Sequence, residues 1–226
     1  MKLKILFVLF FSAIPFSGHA EGETKLTVTS EYVWRGTRLS NGAAAQAELS
    51  REIYHNLEVG LFASNVSEDI SERDSEADLH LIQYFDLNEN HRFGIGVVGY
   101  LYLTHTSHNT TEAHLSYENQ WFNFKVYNTQ KYFGKNTGST YLNVGTKFLV
   151  TSDILMKLNL GQTTYEDEVE AGYKNYHDYK ISLEKEYNLG TFDLFFSSAN
   201  RYEWDGSTKE KQHDDVLGVS FTVDVK

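Results

Sequence analysis

Residues 93–103 read FGIGVVGYLYL. Phe93, Ile95, Val97, Leu101 and Leu103 share one parity, while Gly94 and Gly96 hold the other. Successive side chains of a strand point to opposite faces, so this spacing describes an extended segment with one continuous apolar face. Moving outward, the same period of two returns in eleven further segments. Apolar sets include Ala45, Ala47 and Leu49; Leu57, Val59, Leu61 and Ala63; Leu79, Leu81 and Phe85; and Leu115 with Tyr117. They continue through Phe122, Phe124 and Val126; Leu142, Val144 and Phe148; and Met156, Leu158 and Leu160. The last three are Tyr179, Ile181 and Leu183; Phe192, Leu194 and Phe196; and Leu217, Val219, Phe221 and Val223. In the first segment Leu26, Val28, Tyr32 and Trp34 share a face opposite Lys25, Thr27, Glu31 and Arg35. The twelve segments run roughly nine to fourteen residues, and a tilted strand needs about nine to eleven to cross a bilayer.

The connections alternate in length. Tight turns are expected at His55-Asn56, Asn88-Glu89-Asn90, Asn119-Gln120, Thr151-Ser152-Asp153 and Asn188-Leu189-Gly190, all built from turn-forming residues. Longer loops fall at Gly36–Gly42, Ser67–Ser75, His105–Thr111, Tyr132–Ser139, Glu166–Asn175 and Arg201–Asp215. An even strand count with short turns at one end and long polar loops at the other predicts an all-β, twelve-stranded antiparallel transmembrane β-barrel, turns toward the periplasm and loops outside.

The chain begins with Lys2 and Lys4, an apolar run from Ile5 to Phe16, and Gly18-His19-Ala20. This is the layout of a secretory signal peptide over residues 1–20, cleaved after Ala20, and its apolar run is too short to span a bilayer as a helix. Residues 21–226 would then form the barrel. The sequence has no cysteine, which excludes both a disulfide framework and a lipoprotein anchor. Its one proline, Pro15, leaves with the signal, and fifteen tyrosines and fifteen phenylalanines favour strands. Removal of Lys2 and Lys4 leaves 18 of the 20 basic residues against 31 acidic ones, which argues against nucleic acid as a partner.

A soluble barrel or sandwich with an apolar interior alternates identically, so the direction of the apolar face needs separate evidence. Charge gathers on the opposite parity, at Glu48, Glu58, Asp78, Arg92, Glu118, Lys125, Lys147, Lys157, Lys180 and Asp193. Aromatics of the apolar parity gather at strand ends: Tyr32 and Trp34 at the first loop, and Phe85, Phe93, Phe122, Phe148 and Phe192 near turns. Such bands read as aromatic girdles at a lipid interface. Tyr32 and Trp34 are therefore expected at the outer lipid interface, Glu31 facing the lumen, and Arg35-Gly36 at the rim.

Ser30-Glu31-Tyr32-Val33-Trp34-Arg35-Gly36 with Ser40-Asn41, Gly60 and Ser64-Asn65-Val66-Ser67 resembles the N-terminal signature of the TorF porin family, a proteobacterial outer-membrane family otherwise of unknown function. The resemblance covers about 40 residues and implies a barrel in the bacterial outer membrane. Gly218-Val219-Ser220-Phe221-Thr222-Val223 is similar to the signal read by the barrel-assembly machinery, although this chain ends Asp224-Val225-Lys226 rather than on an aromatic.

Other features have a bland reading. His105, His108, His114, His177 and His213 fall in or near loops without metal-ligand spacing, and Glu166-Asp167-Glu168-Val169-Glu170 lacks the pattern of a calcium loop. Gly134–Thr140 resembles a phosphate loop, but no helix follows it. A lipid-modifying enzyme of the phospholipase or lipid A deacylase kind would need a nucleophile and a base at the outer interface, and His114 with Ser116 is the nearest pair. The expectation is instead a narrow passive channel for small hydrophilic solutes, without cofactor or catalytic residue, in contact with outer-membrane lipids and lipopolysaccharide. A non-conducting structural or adhesive barrel is the remaining alternative. Lumen-facing Glu31, Glu48, Asp78 and Glu118 on strands one to six and Lys125, Lys147, Lys157 and Lys180 on strands seven to ten would set an acidic wall against a basic one. Inward Gly60, Gly94, Gly96, Gly145 and Gly161 are expected to leave room for a pore.

Overall fold

The structure is a computed structural model that describes residues 22–67, 75–102, 104–212 and 214–225. The signal-peptide segment and His213 lie outside them. Twelve strands close into a barrel: β1 (Gly22–Thr29), β4 (Ala44–Tyr54), β5 (Leu57–Asn65), β6 (Ser75–Asn88), β7 (His91–Tyr102), β8 (Thr110–Asn119), β9 (Phe122–Thr129), β10 (Ser139–Leu149), β11 (Leu155–Tyr165), β12 (Tyr176–Tyr187), β13 (Gly190–Ala199) and β16 (Val216–Asp224). Two small hairpins sit in the loops, β2 (Val33–Trp34) with β3 (Thr37–Arg38), and β14 (Tyr202–Trp204) with β15 (Lys209–Lys211). Each barrel strand pairs antiparallel with its neighbours in chain order, and β1 with β16 closes the ring from Lys25–Asp224 to Thr29–Ser220.

The five tight turns fall where the sequence places them. At β4–β5, Tyr54 pairs with Leu57 across His55 and Asn56, both at positive φ (35° and 61°), the two-residue turn whose twist matches a hairpin. The acidic stretch at 166–170 forms a four-residue helix, Glu168–Ala171, capped by the Asp167 carboxylate, which accepts the Val169 and Glu170 amides. Capping accounts for Asp167.

The apolar parity faces out. Val28 is 62% exposed, Leu160 65% and Leu217 74%, with Leu79, Ile95, Leu115, Val144, Ile181 and Leu194 also exposed around the ring. The inward parity is mainly polar or aromatic, with Glu112, Ser182, Ser197 and Thr163 buried and Ile82 and Val98 as aliphatic exceptions. A surface of this extent cannot stay in water, and the closed ladder leaves no strand edge unpaired, so the barrel is of the membrane-spanning kind. Phe85, Phe93, Phe122, Phe148 and Phe192 all project outward near the turn end.

The chain has no native cysteine to interfere with labelling. Single cysteines at Lys135 or Glu210, in the long loops, should react with an impermeant maleimide on intact cells. Cysteines at Glu89 or Gln120, in the tight turns, should react only after permeabilisation. Equal labelling of both sets would reject this orientation.

Candidate functional site

The first strand stops earlier than its alternation. Thr29 Oγ1 donates to the Glu31 carbonyl at 2.8 Å, and Ser30 accepts the Val219 amide on Oγ at 3.0 Å. Ser40 Oγ accepts the Tyr32 amide at 2.7 Å. These hydroxyls offer the backbone partners other than the ladder, so the strand ends at Thr29 and the chain turns inward. Tyr32 and Trp34 therefore do not reach the lipid interface. Tyr32 is 8% exposed and donates its hydroxyl to Glu76 Oε1 on β6 at 2.9 Å. The Trp34 ring packs edge-on against Tyr100 at 5.8 Å and Phe133 at 5.4 Å, inside the barrel.

The β2–β3 hairpin crosses the lumen. Its turn is Arg35-Gly36, at φ 49° and 72°, both positive as this tight turn requires. Arg35 reaches across rather than sitting at the rim. Its Nη1 donates to Glu112 Oε1 at 3.0 Å and its Nη2 to Oε2 at 2.5 Å, a bidentate pair with both side chains nearly unexposed. The guanidinium lies over the rings of Trp34, Tyr141 and Tyr127 at 4.2, 4.4 and 4.8 Å, and also donates to the Tyr100 hydroxyl at 3.2 Å. Gly36 fits closely against the opposite wall, where a Cβ would collide with Asp178 on β12 and Ala199 on β13. Tyr176 donates to the Arg35 carbonyl at 3.3 Å. One residue pair thus ties the tip to both sides.

A second loop joins the plug. Tyr132 and Phe133, between β9 and β10, turn inward beside Trp34. Three aromatic clusters result, around Tyr32, around Tyr100 with Tyr102, and around Tyr165 with Tyr176; Trp34 bridges the first two and Tyr132 the last two. Together they fill the loop half of the interior. The inward glycines do not leave the expected room there or below, because larger inward neighbours lie over them: His80 over Gly60, Asn159 and Asn123 over Gly145, and Tyr141 and Asp178 over Gly161.

Beneath the hairpin lies a chamber of about 330 Å³, lined from β4 through β9. Glu48, Asp78, Glu118 and Lys125, four of the eight residues expected to line the lumen, meet there. Glu31 does not. It stays at the base of the first loop, 3.9 Å from Arg38 and accepting the Gly42 amide at 3.4 Å. Lys157 pairs with Glu184 at 2.6 Å, and Lys180 sits over the Phe195 ring at 4.2 Å. Lys147 is opposite Lys157 in the ladder and makes no ion pair among the described residues. His114 and Ser116 face inward on β8 beside the chamber, away from the outer interface where lipid chemistry would take place. Among the described residues, no three His, Asp or Glu side chains gather so as to hold a metal ion.

Fold and interior together define the class: a closed, lipid-facing, twelve-stranded β-barrel with a charged lumen and an inward loop. The chain belongs to the bacterial family described as "Bacterial protein of unknown function (Gcw_chp)", whose model matches residues 13–220. No curated protein matches the sequence. Among solved structures it is similar to the KdgM porin (TM-score 0.53, 9% identity, 90% of this chain and 98% of that one). It is also similar to the NanC porin (TM-score 0.56, 8% identity, 90% and 99%). A further match is described as "KdgM porin in complex with disordered oligogalacturonate" (TM-score 0.52, 7% identity, 91% and 99%). At such identities the likeness is one of fold, over nearly the whole length of both chains.

Breaking a buried ion pair by removing one partner strands the other charge and costs about 3–5 kcal/mol. Arg35→Ala and Glu112→Ala should each destabilise the refolded barrel by that order in urea unfolding. The double variant should cost clearly less than the sum, since it strands neither charge. Strict additivity would mean the two side chains are not coupled.

Proposed function

We propose that the protein is an outer-membrane channel for passive diffusion of small hydrophilic solutes, with its width set by the β2–β3 hairpin, and that it is not an enzyme. The observation that carries this reading is the pairing of an apolar outer wall with a charged inner one that encloses a hydrated-size chamber. The porin folds of its structural neighbours support it, as does the complex of one of them with an oligosaccharide. The motif at Ser30–Gly36 supports the finer assignment to the TorF type. Export through a cleaved signal, insertion by the barrel-assembly machinery, and contact with lipids and lipopolysaccharide follow from the same reading. Phe85, Phe93, Phe122, Phe148 and Phe192 would form the girdle at the periplasmic interface.

A non-conducting barrel that displays loops draws on one observation, the filled loop half of the lumen. Planar-bilayer recordings separate the two. Replacing Val33–Arg38 by a short Gly-Ser linker should raise unit conductance severalfold over the parent. A parent and a hairpin-less variant that are both silent, though folded, would reject the channel.

The lysines should contribute unequally to selectivity. Lys125→Glu with Lys147→Glu should shift the reversal potential in a salt gradient toward cations, because neither lysine has an ion-pair partner among the described residues. Lys157→Glu alone should shift it less, since Glu184 already neutralises that charge. An equal shift from Lys157→Glu would show that the Glu184 pair is open in the membrane.

A further inference from the structure

The outer wall opens between β8 and β9 near the loop end. Their ladder runs from Glu118–Asn123 up to Ala113–Asn128 and ends there. On either side the wall stays paired further up, to Tyr100–Thr110 between β7 and β8 and to Thr129–Ser139 between β9 and β10. Above Ala113–Asn128 side chains hold the two strands instead: the Thr110 hydroxyl donates to the Lys131 carbonyl, and Thr129 Oγ1 accepts the Lys131 amide at 3.1 Å. The split leaves a groove of about 550 Å³, lined by Leu101, Thr111, Ala113, Asn128, Gln130 and Lys131. Apart from Lys131 at its top, these residues share the outward parity of Ile95, Leu115 and Val126, so the groove faces lipid.

The turn-end girdle fixes its height. Leu101 and Gln130 each stand eight residues beyond a girdle phenylalanine, Phe93 and Phe122. Eight residues of strand tilted by about 40° climb about 20 Å along the barrel axis, and the apolar band of such a barrel is about 25 Å tall. The groove therefore lies where the acyl chains of the loop-side leaflet meet their polar heads.

Its chemistry changes at that height. The floor is apolar and shallow at Ala113 and Leu101, and Leu115 continues it downward. The upper part is polar. Thr111 and Gln130 are exposed, and their side chains meet no hydrogen-bond partner among the described residues. Several other outward polar side chains near the loops are met by the wall itself: Asn65 Oδ1 accepts the Ala45 amide at 2.7 Å, Thr164 Oγ1 donates to the Thr140 carbonyl at 3.3 Å, and Ser198 donates to Asp215 at 2.6 Å. Hydrocarbon offers no partner, so polar groups left open on this wall call for a lipid that brings its own. Lys131 is exposed and makes no ion pair among the described residues, and a compact ammonium at headgroup level suits a phosphate.

We propose that this groove holds one molecule of lipopolysaccharide, with an acyl chain along Leu101, Ala113 and Leu115, an amide or hydroxyl of the glycolipid on Thr111 and Gln130, and a phosphate on Lys131. It rests on the reading of the chain as an outer-membrane barrel with its loops outside, since the outer leaflet there is lipopolysaccharide. The amide-linked, hydroxylated chains of that lipid carry donors and acceptors at the depth of Thr111 and Gln130, where a phospholipid has only ester carbonyls.

The test mixes the full barrel, refolded in detergent micelles, with deep-rough lipopolysaccharide or with phosphatidylglycerol and counts bound lipid by native mass spectrometry. One lipopolysaccharide per barrel should survive removal of the detergent, and phosphatidylglycerol at equal concentration should not displace it. Lys131→Gln should weaken it roughly tenfold, the loss expected from one charged contact. Ala113→Phe, which fills the floor, should weaken it at least as much. Ala45→Phe, the same change on the outward face of β4, should leave it unchanged, which separates loss of the groove from a general disturbance of the wall. Phosphatidylglycerol binding as tightly, lipopolysaccharide retained in full by either Lys131→Gln or Ala113→Phe, equal loss in Ala45→Phe, or a dimer forming at this wall in place of bound lipid would each overturn the site. The orientation is read separately, by maleimide labelling: loops labelled on intact cells with no lipopolysaccharide bound overturn the site alone, and a barrel that binds it but exposes its tight turns overturns the orientation alone.

Discussion

Closure of the backbone ladder is the constraint from which the rest of this structure follows. In hydrocarbon no water is available to an unpaired amide or carbonyl, so a membrane sheet must leave no edge. Here the seam is made by β1 and β16, and is extended beyond the paired register by Ser30 donating to the Val219 carbonyl and Val225 donating to the Thr24 carbonyl, both at 2.8 Å. Once the seam is fixed, so is the parity of every strand. A slip of one residue would turn Glu112 and Asp178 toward lipid and Ile95 and Ile181 toward the lumen.

Closure also creates an interior that must be filled by polar means, because the apolar parity is committed to the outside. The loop half meets that demand with tyrosines that donate to buried carboxylates: Tyr32 and Tyr102 to Glu76, Tyr100 to Glu112, and Tyr141 to Asp178. Each ring supplies bulk while its hydroxyl donates to a buried carboxylate oxygen. The hairpin completes the packing at a local cost. Arg35 occupies a left-handed conformation that costs a residue with a Cβ about 1–2 kcal/mol. The bidentate contact with Glu112 and three ring faces offset that strain. Gly36 next to it is the residue that lets the tip lie against the far wall.

The sequence made the barrel legible because its signals are local: parity within each strand, turn residues between them, and alternating loop length. The direction of the apolar face was legible too, from charge on one parity and aromatics at the ends of the other. What the sequence could not show is where a strand stops while its alternation continues. Tyr32 and Trp34 keep the parity of Leu26 and Val28, yet the hydroxyls of Thr29, Ser30 and Ser40 redirect the backbone between them. The cluster of Ser and Thr flanking Arg35-Gly36 is the one local sign of this, a turn signature inside an apparently continuous strand. The inward glycines misled for a related reason. A missing side chain leaves space only if no neighbour takes it, and His80, Asn159 and Tyr141 come from adjacent strands whose register sequence alone does not give.

Register also decides how the interior charges act. The expected basic wall exists as a row of lysines on β9 to β12, but the ladder sets Lys157 within reach of Glu184, and Lys180 across from the strand that carries Asp193. The acidic wall on β4 to β8 meets cations across the ladder in its lower part, Lys25 opposite Glu48 and Arg92 opposite Glu118. Its upper part is compensated by the hairpin, which carries a cation across to Glu112. The field in the lumen is therefore not a symmetric one between two walls. It is broken into local pairs along both walls, and the one inward loop both narrows the lumen and carries the cation that meets Glu112.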